Sequence, residues 1–124
     1  MMFRLPDLDE FYDGDLYLPW NGTKWRVPEP SAQESMRLRL LVFDKGFSGN
    51  DEITEMQHLM GETWDALITA GVGWSHLMHI GRTALLYFAT TPDVAEAHWK
   101  LAQFTSLIDL DAVLTLMNGD PDGS

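Results

Sequence analysis

Apolar residues recur every three or four positions along most of the chain, and this spacing predicts a mainly helical fold. The pattern is clearest over residues 51–90, which we interpret as two amphipathic helices joined by a Gly-Val-Gly turn. Small residues at Gly81 and Ala84 in the second helix would let a neighbouring helix approach closely, which would offset the cost of a glycine inside a helix. The apolar face of the first helix comprises Ile53, Met56, Met60, Trp64, Leu67 and Ile68.

A β-hairpin is predicted before the helices. Asn21-Gly22 separates two segments rich in apolar residues, and this dipeptide tolerates the positive φ angles of a type I′ turn. A two-stranded ribbon is marginal alone, so one face of it should lie on the helices. The register pairs Leu16 with Val27, Leu18 with Trp25 and Trp20 with Thr23, with all six side chains on that face.

Capping patterns predict where the other helices begin. Ser31 and Glu34 form a capping box, and Thr91-Pro92 is an N-cap followed by proline at the first helical position. Residues 45–50 form a connector, with Asn50 or Asp51 as the next cap. The helix after Ser31 carries an apolar stripe of Met36, Leu40 and Phe43.

The predicted fold class is mainly α, a bundle of about four to five helices with an N-terminal two-stranded β-hairpin. We expect one domain over residues 1–118, divided into an arm and hairpin (1–28) and a helical part (31–118). The last helix would cover residues 103–118, either unbroken or broken near residues 109–111, and residues 119–124 would be a disordered tail.

Charge narrows the range of partners. The 124 residues carry a net charge of −11, and residues 46–124 hold eleven acids against two bases, Arg82 and Lys100. Such a surface repels nucleic acid and favours a protein partner, although it could simply keep the protein soluble. The absence of cysteine excludes disulfides and cysteine-based zinc sites. With neither a signal peptide nor a membrane span in the sequence, we expect a soluble, cytosolic protein with no membrane partner.

No catalytic motif is present, and we expect neither an enzyme nor a bound metal or cofactor. His76 and His79 are neighbours on one helix face, and His58 could complete a metal site, but no HExxH pattern supports this. Packed or solvent-linked histidines are the simpler interpretation.

Tryptophan and methionine are unusually frequent, with five and seven copies. Most should be in the core, but tryptophan is favoured at interfaces and methionine-rich surfaces adapt to more than one partner. Phe11 and Tyr12 lie among five acids at residues 7–15, as an acidic arm with an aromatic anchor or as an ordinary solvated segment. The predicted partner-binding residues are Trp20, Trp25, Trp74, Trp99, Phe11 and Tyr12.

The order of motifs resembles that of the tail assembly chaperones of siphophages that infect actinobacteria. The resemblance covers residues 5–100 and runs through the segments DLDEF, VPEPSA, GETWDALITAGV and HIGRTAL to the tryptophan of AEAHW. After Trp99 the chain departs from the family pattern, being longer and more hydrophobic. The matching residues are Asp7, Leu8, Asp9, Glu10, Phe11, Val27, Pro28, Pro30, Ser31, Ala32, Gly61, Trp64, Asp65, Leu67, Gly71, Val72, His79, Gly81, Thr83, Ala84, Leu85, Ala95, Glu96 and Trp99.

This resemblance implies a non-enzymatic role in virion assembly. The chain would be the short, non-frameshifted product that binds the tape measure protein, keeps it soluble and helps to recruit the tail tube protein. A longer frameshifted form of the chain would be a further partner. The chain could also associate with copies of itself as a homo-oligomer. It would act in the host cytoplasm and be absent from the mature virion. A structural virion component, such as a tail terminator or connector protein, is the alternative.

Overall fold

The computed structural model of the chain describes residues 4–107. A short 3₁₀ turn, Leu8–Glu10, precedes the hairpin and the helices. The elements are β1 (Leu16–Trp20), β2 (Thr23–Val27), α1 (Ala32–Val42), α2 (Gly49–Met60), α3 (Glu62–Thr69), α4 (Trp74–Ala89) and α5 (Pro92–Leu107). Over this range the predicted class, mainly α with an N-terminal two-stranded hairpin, is confirmed.

The hairpin has the predicted register, with Leu18 opposite Trp25 and Trp20 opposite Thr23. Asn21 and Gly22 both have positive φ angles, as a type I′ turn requires. In a two-residue hairpin the pair next to the turn is hydrogen-bonded and the following pair is not, so Pro19 occupies a position that needs no N–H donor. Buried Leu18 and Val27 join the hairpin to the helical core.

Helix α1 buries a different face from the one predicted. Met36, Leu40 and Phe43 are each about 70% exposed or more, whereas Leu38 is buried and contributes to the core. Ser31 does cap the helix, since its side chain accepts a hydrogen bond from the Glu34 N–H. The carboxylate of Glu34, however, binds Arg37 instead of closing the capping box.

The predicted single helix after residue 50 is two helices. Gly61 lies between α2 and α3 with φ +53° and ψ −124°, a conformation that only glycine adopts without strain. The helix also begins earlier than predicted, because Ser48 rather than Asn50 or Asp51 is the N-cap. Asp51 accepts hydrogen bonds from the N–H and hydroxyl groups of Ser48, so the predicted connector is partly ordered into the helix start.

Helix α4 is the centre of the fold and contacts α1, α2, α5 and β1. The close approach predicted at Gly81 is confirmed: a Cβ added there would lie 2.5 Å from Sδ of Met56 on α2. The predicted Gly-Val-Gly turn follows α3, and Gly71 has φ +83°, the left-handed conformation that commonly ends a helix. The chain then reverses direction into α4. The two helices predicted over residues 51–90 therefore correspond to α2 with α3 before the turn and α4 after it.

Helix α5 begins at the predicted Thr91-Pro92 signal, with the Thr91 hydroxyl accepting from the Val94 N–H. It continues to Leu107 without the predicted boundary near residue 103. The remainder of the predicted last helix and the predicted tail at 119–124 lie outside the described residues. No helix within residues 4–107 is long and apolar enough to span a membrane.

Candidate partner-binding site

A half-open cleft of about 560 Å³ lies where β1, α4 and α5 meet. Its size is typical of sites that receive a small molecule or a side chain of a partner. Apolar and aromatic side chains form most of its walls, and three imidazoles supply polar atoms. The lining includes Trp20, His76, His79, Ile80, His98 and Trp99.

Trp20 reaches the cleft from the end of β1 and is supported by Trp25 on β2. The two ring centroids are 5.8 Å apart. The indole N–H of Trp25 donates a hydrogen bond to the backbone oxygen of Trp20 at 3.0 Å. Since this bond uses the only polar group of the Trp25 side chain, Trp25 acts as a fixed support for the wall that Trp20 provides.

Histidines from two helices stack at the same cleft. The rings of His79 on α4 and His98 on α5 are 4.5 Å apart and nearly parallel. Nε2 of His79 lies 3.0 Å from the backbone oxygen of Trp99, and the two side-chain rings are 5.3 Å apart. The α4–α5 interface therefore fixes the position of Trp99 and of both imidazoles at the cleft.

Buried Thr83 connects the stacked rings to the core. Its hydroxyl donates to the backbone oxygen of His79 at 2.7 Å and lies 3.0 Å from Nδ1 of His98. Burial, followed by the positive potential of His79 and Arg82, holds the pKa of His98 below its usual value, and Glu52 opposes this in part. His98 is therefore neutral at pH 7.

The structure brings two of the six predicted partner-binding residues, Trp20 and Trp99, to this cleft. Trp74 is 61% exposed and directly precedes two residues of the lining, Ser75 and His76. Trp25 lies behind Trp20. Phe11 and Tyr12 are exposed on the N-terminal arm and do not line the cleft.

His98 and Thr83 were not predicted as site residues. No local spacing indicates that His98 would stack on a histidine nineteen positions earlier. The only sequence feature that points to His98 is its position next to Trp99 on α5. The neighbouring helix, α4, carries His76 and His79.

The three histidines of the metal hypothesis are not brought together. His58 lies on α2, 3.9 Å from the carboxylate of Glu34, and is not part of the cleft. Glu34, Glu55 and His58 are the one group in the described part of the chain with ligand atoms close enough to share an ion. The guanidinium of Arg37 binds both carboxylates at 2.5 and 2.6 Å, so this cluster already has its cation.

One family pattern matches the chain, over residues 6–110, and it is described as a domain of unknown function (DUF7426). No curated protein and no solved structure matches it.

Proposed function

We propose that this chain, which belongs to the DUF7426 family, is a tail assembly chaperone of a siphophage. It would bind the tape measure protein, keep it soluble and help to recruit tail tube subunits in the host cytoplasm before leaving the finished particle. The proposal is non-enzymatic and includes a longer frameshifted form of the chain as a further partner. It rests on the resemblance in motif order and on one structural observation, the cleft walled by Trp20 and Trp99.

The cleft supports this proposal because it offers apolar surface that a helical client requires. A long client helix presents apolar side chains at regular intervals, and such side chains dock into apolar grooves. Trp74 extends the apolar surface at the start of α4. The strongly acidic remainder of the molecule would limit association between copies, because like charges repel.

The test is co-expression with the tape measure protein of the same genome, followed by measurement of soluble client and pull-down. Trp74→Ala and Trp99→Ala are expected to reduce the soluble client several-fold. Trp74 is exposed, so its replacement should leave folding intact. Val94→Ala on α5 is the matched control, because Val94 is 44% exposed and does not line the cleft.

An insoluble client with and without the wild-type chain would contradict the proposal. Recovery of the chain from purified virions by mass spectrometry would contradict it as well, and would favour the structural alternative of a tail terminator or connector.

A further inference from the structure

We propose that the cleft binds an aromatic side chain of a partner protein that carries a ring-attached hydrogen-bond donor, and that His98 accepts that hydrogen bond. This proposal specifies the chemical class of ligand that the partner-binding site takes, and it rests on the proposed function. The ligand class is tryptophan or tyrosine, with the indole of tryptophan as the probe. The ligand that fits depends on which nitrogens of the two stacked imidazoles carry hydrogen.

The hydrogen on His98 is assigned by Thr83. A backbone oxygen only accepts hydrogen bonds, so at 2.7 Å from the oxygen of His79 the Thr83 hydroxyl must donate its hydrogen there. Its oxygen is then an acceptor for the second contact, 3.0 Å away, and Nδ1 of His98 must be the donor. In neutral His98 the other nitrogen, Nε2, therefore carries a lone pair and no hydrogen.

The hydrogen on His79 is assigned by the backbone of α5. Nε2 of His79 faces the backbone oxygen of Trp99 at 3.0 Å, and that oxygen cannot donate. Nε2 of His79 therefore carries the hydrogen, and Nδ1 is bare in the neutral ring. When both rings are neutral, each ring of the stacked pair has one bare nitrogen. Among residues 4–107, no further hydrogen bond engages either bare nitrogen.

His98 lines a mainly apolar cleft, and a bare nitrogen on that ring selects the ligand. When a purely apolar group fills the site, the nitrogen loses water and gains nothing, whereas a donor replaces the lost hydrogen bond. The aromatic body of the ligand would pack against Trp20 and Trp99, for which offset or edge-to-face contact is favourable. An aromatic ring with an N–H or O–H group can both pack against the two tryptophans and donate a hydrogen bond to Nε2 of His98.

The charged groups near His98 on balance favour its neutral form. His79 and Arg82 on α4 oppose a proton on His98, and Glu52 on α2 favours one. His76 also lines the cleft from α4. Acidification would convert Nε2 of His98 from an acceptor to a donor, so ligand affinity should fall as the pH is lowered through the pKa of His98, which burial holds below its ordinary value.

The test compares two isomers, skatole and N-methylindole, which have the same atoms but differ in whether the indole N–H is present. Titration of the nitrogen-labelled full chain, followed by NMR of the imidazole nitrogens, should show that skatole binds roughly three- to tenfold more tightly. The Nε2 signal of His98 should move on skatole binding. In His98→Asn the side-chain amide can still donate to Thr83 but offers no nitrogen lone pair at the Nε2 position, so the two isomers should bind equally. Circular dichroism checks that this variant is folded.

Equal affinity of the isomers for the wild-type chain would overturn the inference, as would binding of neither isomer. If His98→Asn still binds skatole more tightly than N-methylindole, His98 is not the acceptor of the indole hydrogen bond. If the chain is a dimer alone and becomes a monomer when skatole is added, the cleft binds a second copy of the chain. That result would contradict binding of a different partner protein. Because these measurements contain no client, selective skatole binding beside an insoluble client would leave the inference intact and count against the proposed function.

Discussion

Helices α1 and α4 are comparably rich in apolar residues but lie in very different surroundings. Six of eleven residues are apolar in α1 and ten of sixteen in α4. Eight residues of α4 are buried, whereas in α1 only Leu38 is. The difference comes from neighbours: α4 has α1, α2, α5 and β1 around it, and α1 packs chiefly on α4. Apolar content alone therefore does not determine how much of a helix is buried.

In α1 the apolar residues are divided between opposite faces. At 100° per residue, Leu38 lies about 200° around the helix from Met36, whereas Leu40 and Phe43 lie close to the angle of Met36. The face with Leu38 joins the core. The face with Met36, Leu40 and Phe43 remains exposed in the described part of the chain. One helix thus carries a buried apolar face and an exposed one.

Truncating each face of α1 in turn gives the largest expected difference. Leu38→Ala should lower the free energy of unfolding by about 2–5 kcal/mol, because it leaves a cavity in the core. Leu40→Ala, two positions away and 78% exposed, should change it by less than about 0.5 kcal/mol. Urea unfolding of both variants measures the difference. Similar losses in the two would show that the exposed face is covered in solution.

Local rules predicted the parts of the fold that depend on neighbours in sequence. The Asn21-Gly22 turn determines the hairpin register, and Thr91-Pro92 marks the start of α5, because each signal acts through backbone geometry within a few residues. The face of α1 could not be predicted this way. Two apolar faces compete for one core, and the choice depends on which of them meets α4.

The candidate site shows the same limit. Tryptophan frequency indicated Trp20 and Trp99, but not that β1 and α5 would bring them to one cleft. The stacking of His98 on His79 depends on the packing of α5 against α4, which no periodicity specifies. Gly61 was matched as part of a motif, yet its break between α2 and α3 could not be predicted from an apolar stripe that continues through it.

A smaller effect is expected where α4 meets α2. Gly81→Ala should cost about 1–3 kcal/mol, because the new methyl would lie 2.5 Å from Sδ of fully buried Met56. Gly73→Ala is the matched control, since its methyl would meet only His76 at an ordinary 3.6 Å. That variant should change the free energy of unfolding by less than about 1 kcal/mol, because a less flexible unfolded chain offsets the poorer N-cap that alanine makes for α4. Thermal or urea unfolding compares the two, and equal costs would contradict the close packing at Gly81.

The smallest expected effect is the pH dependence that His98 gives to the α4–α5 interface. Burial keeps the pKa of His98 below the ordinary 6.5 in the folded protein, so the unfolded chain takes up this proton first as the pH falls. The contribution of neutral His98 to the stability of the folded protein is therefore complete above about pH 6.5. It is lost as the pH falls towards the lower pKa that His98 has in the folded protein. Unfolding free energies should decrease between about pH 8 and about pH 5.5, where the carboxylates stay ionised. His98→Asn should remove this part of the slope, whereas His58→Asn, on the exposed side of α2, should retain it. A slope unchanged in His98→Asn would show that His98 is not the group that links the α4–α5 interface to pH.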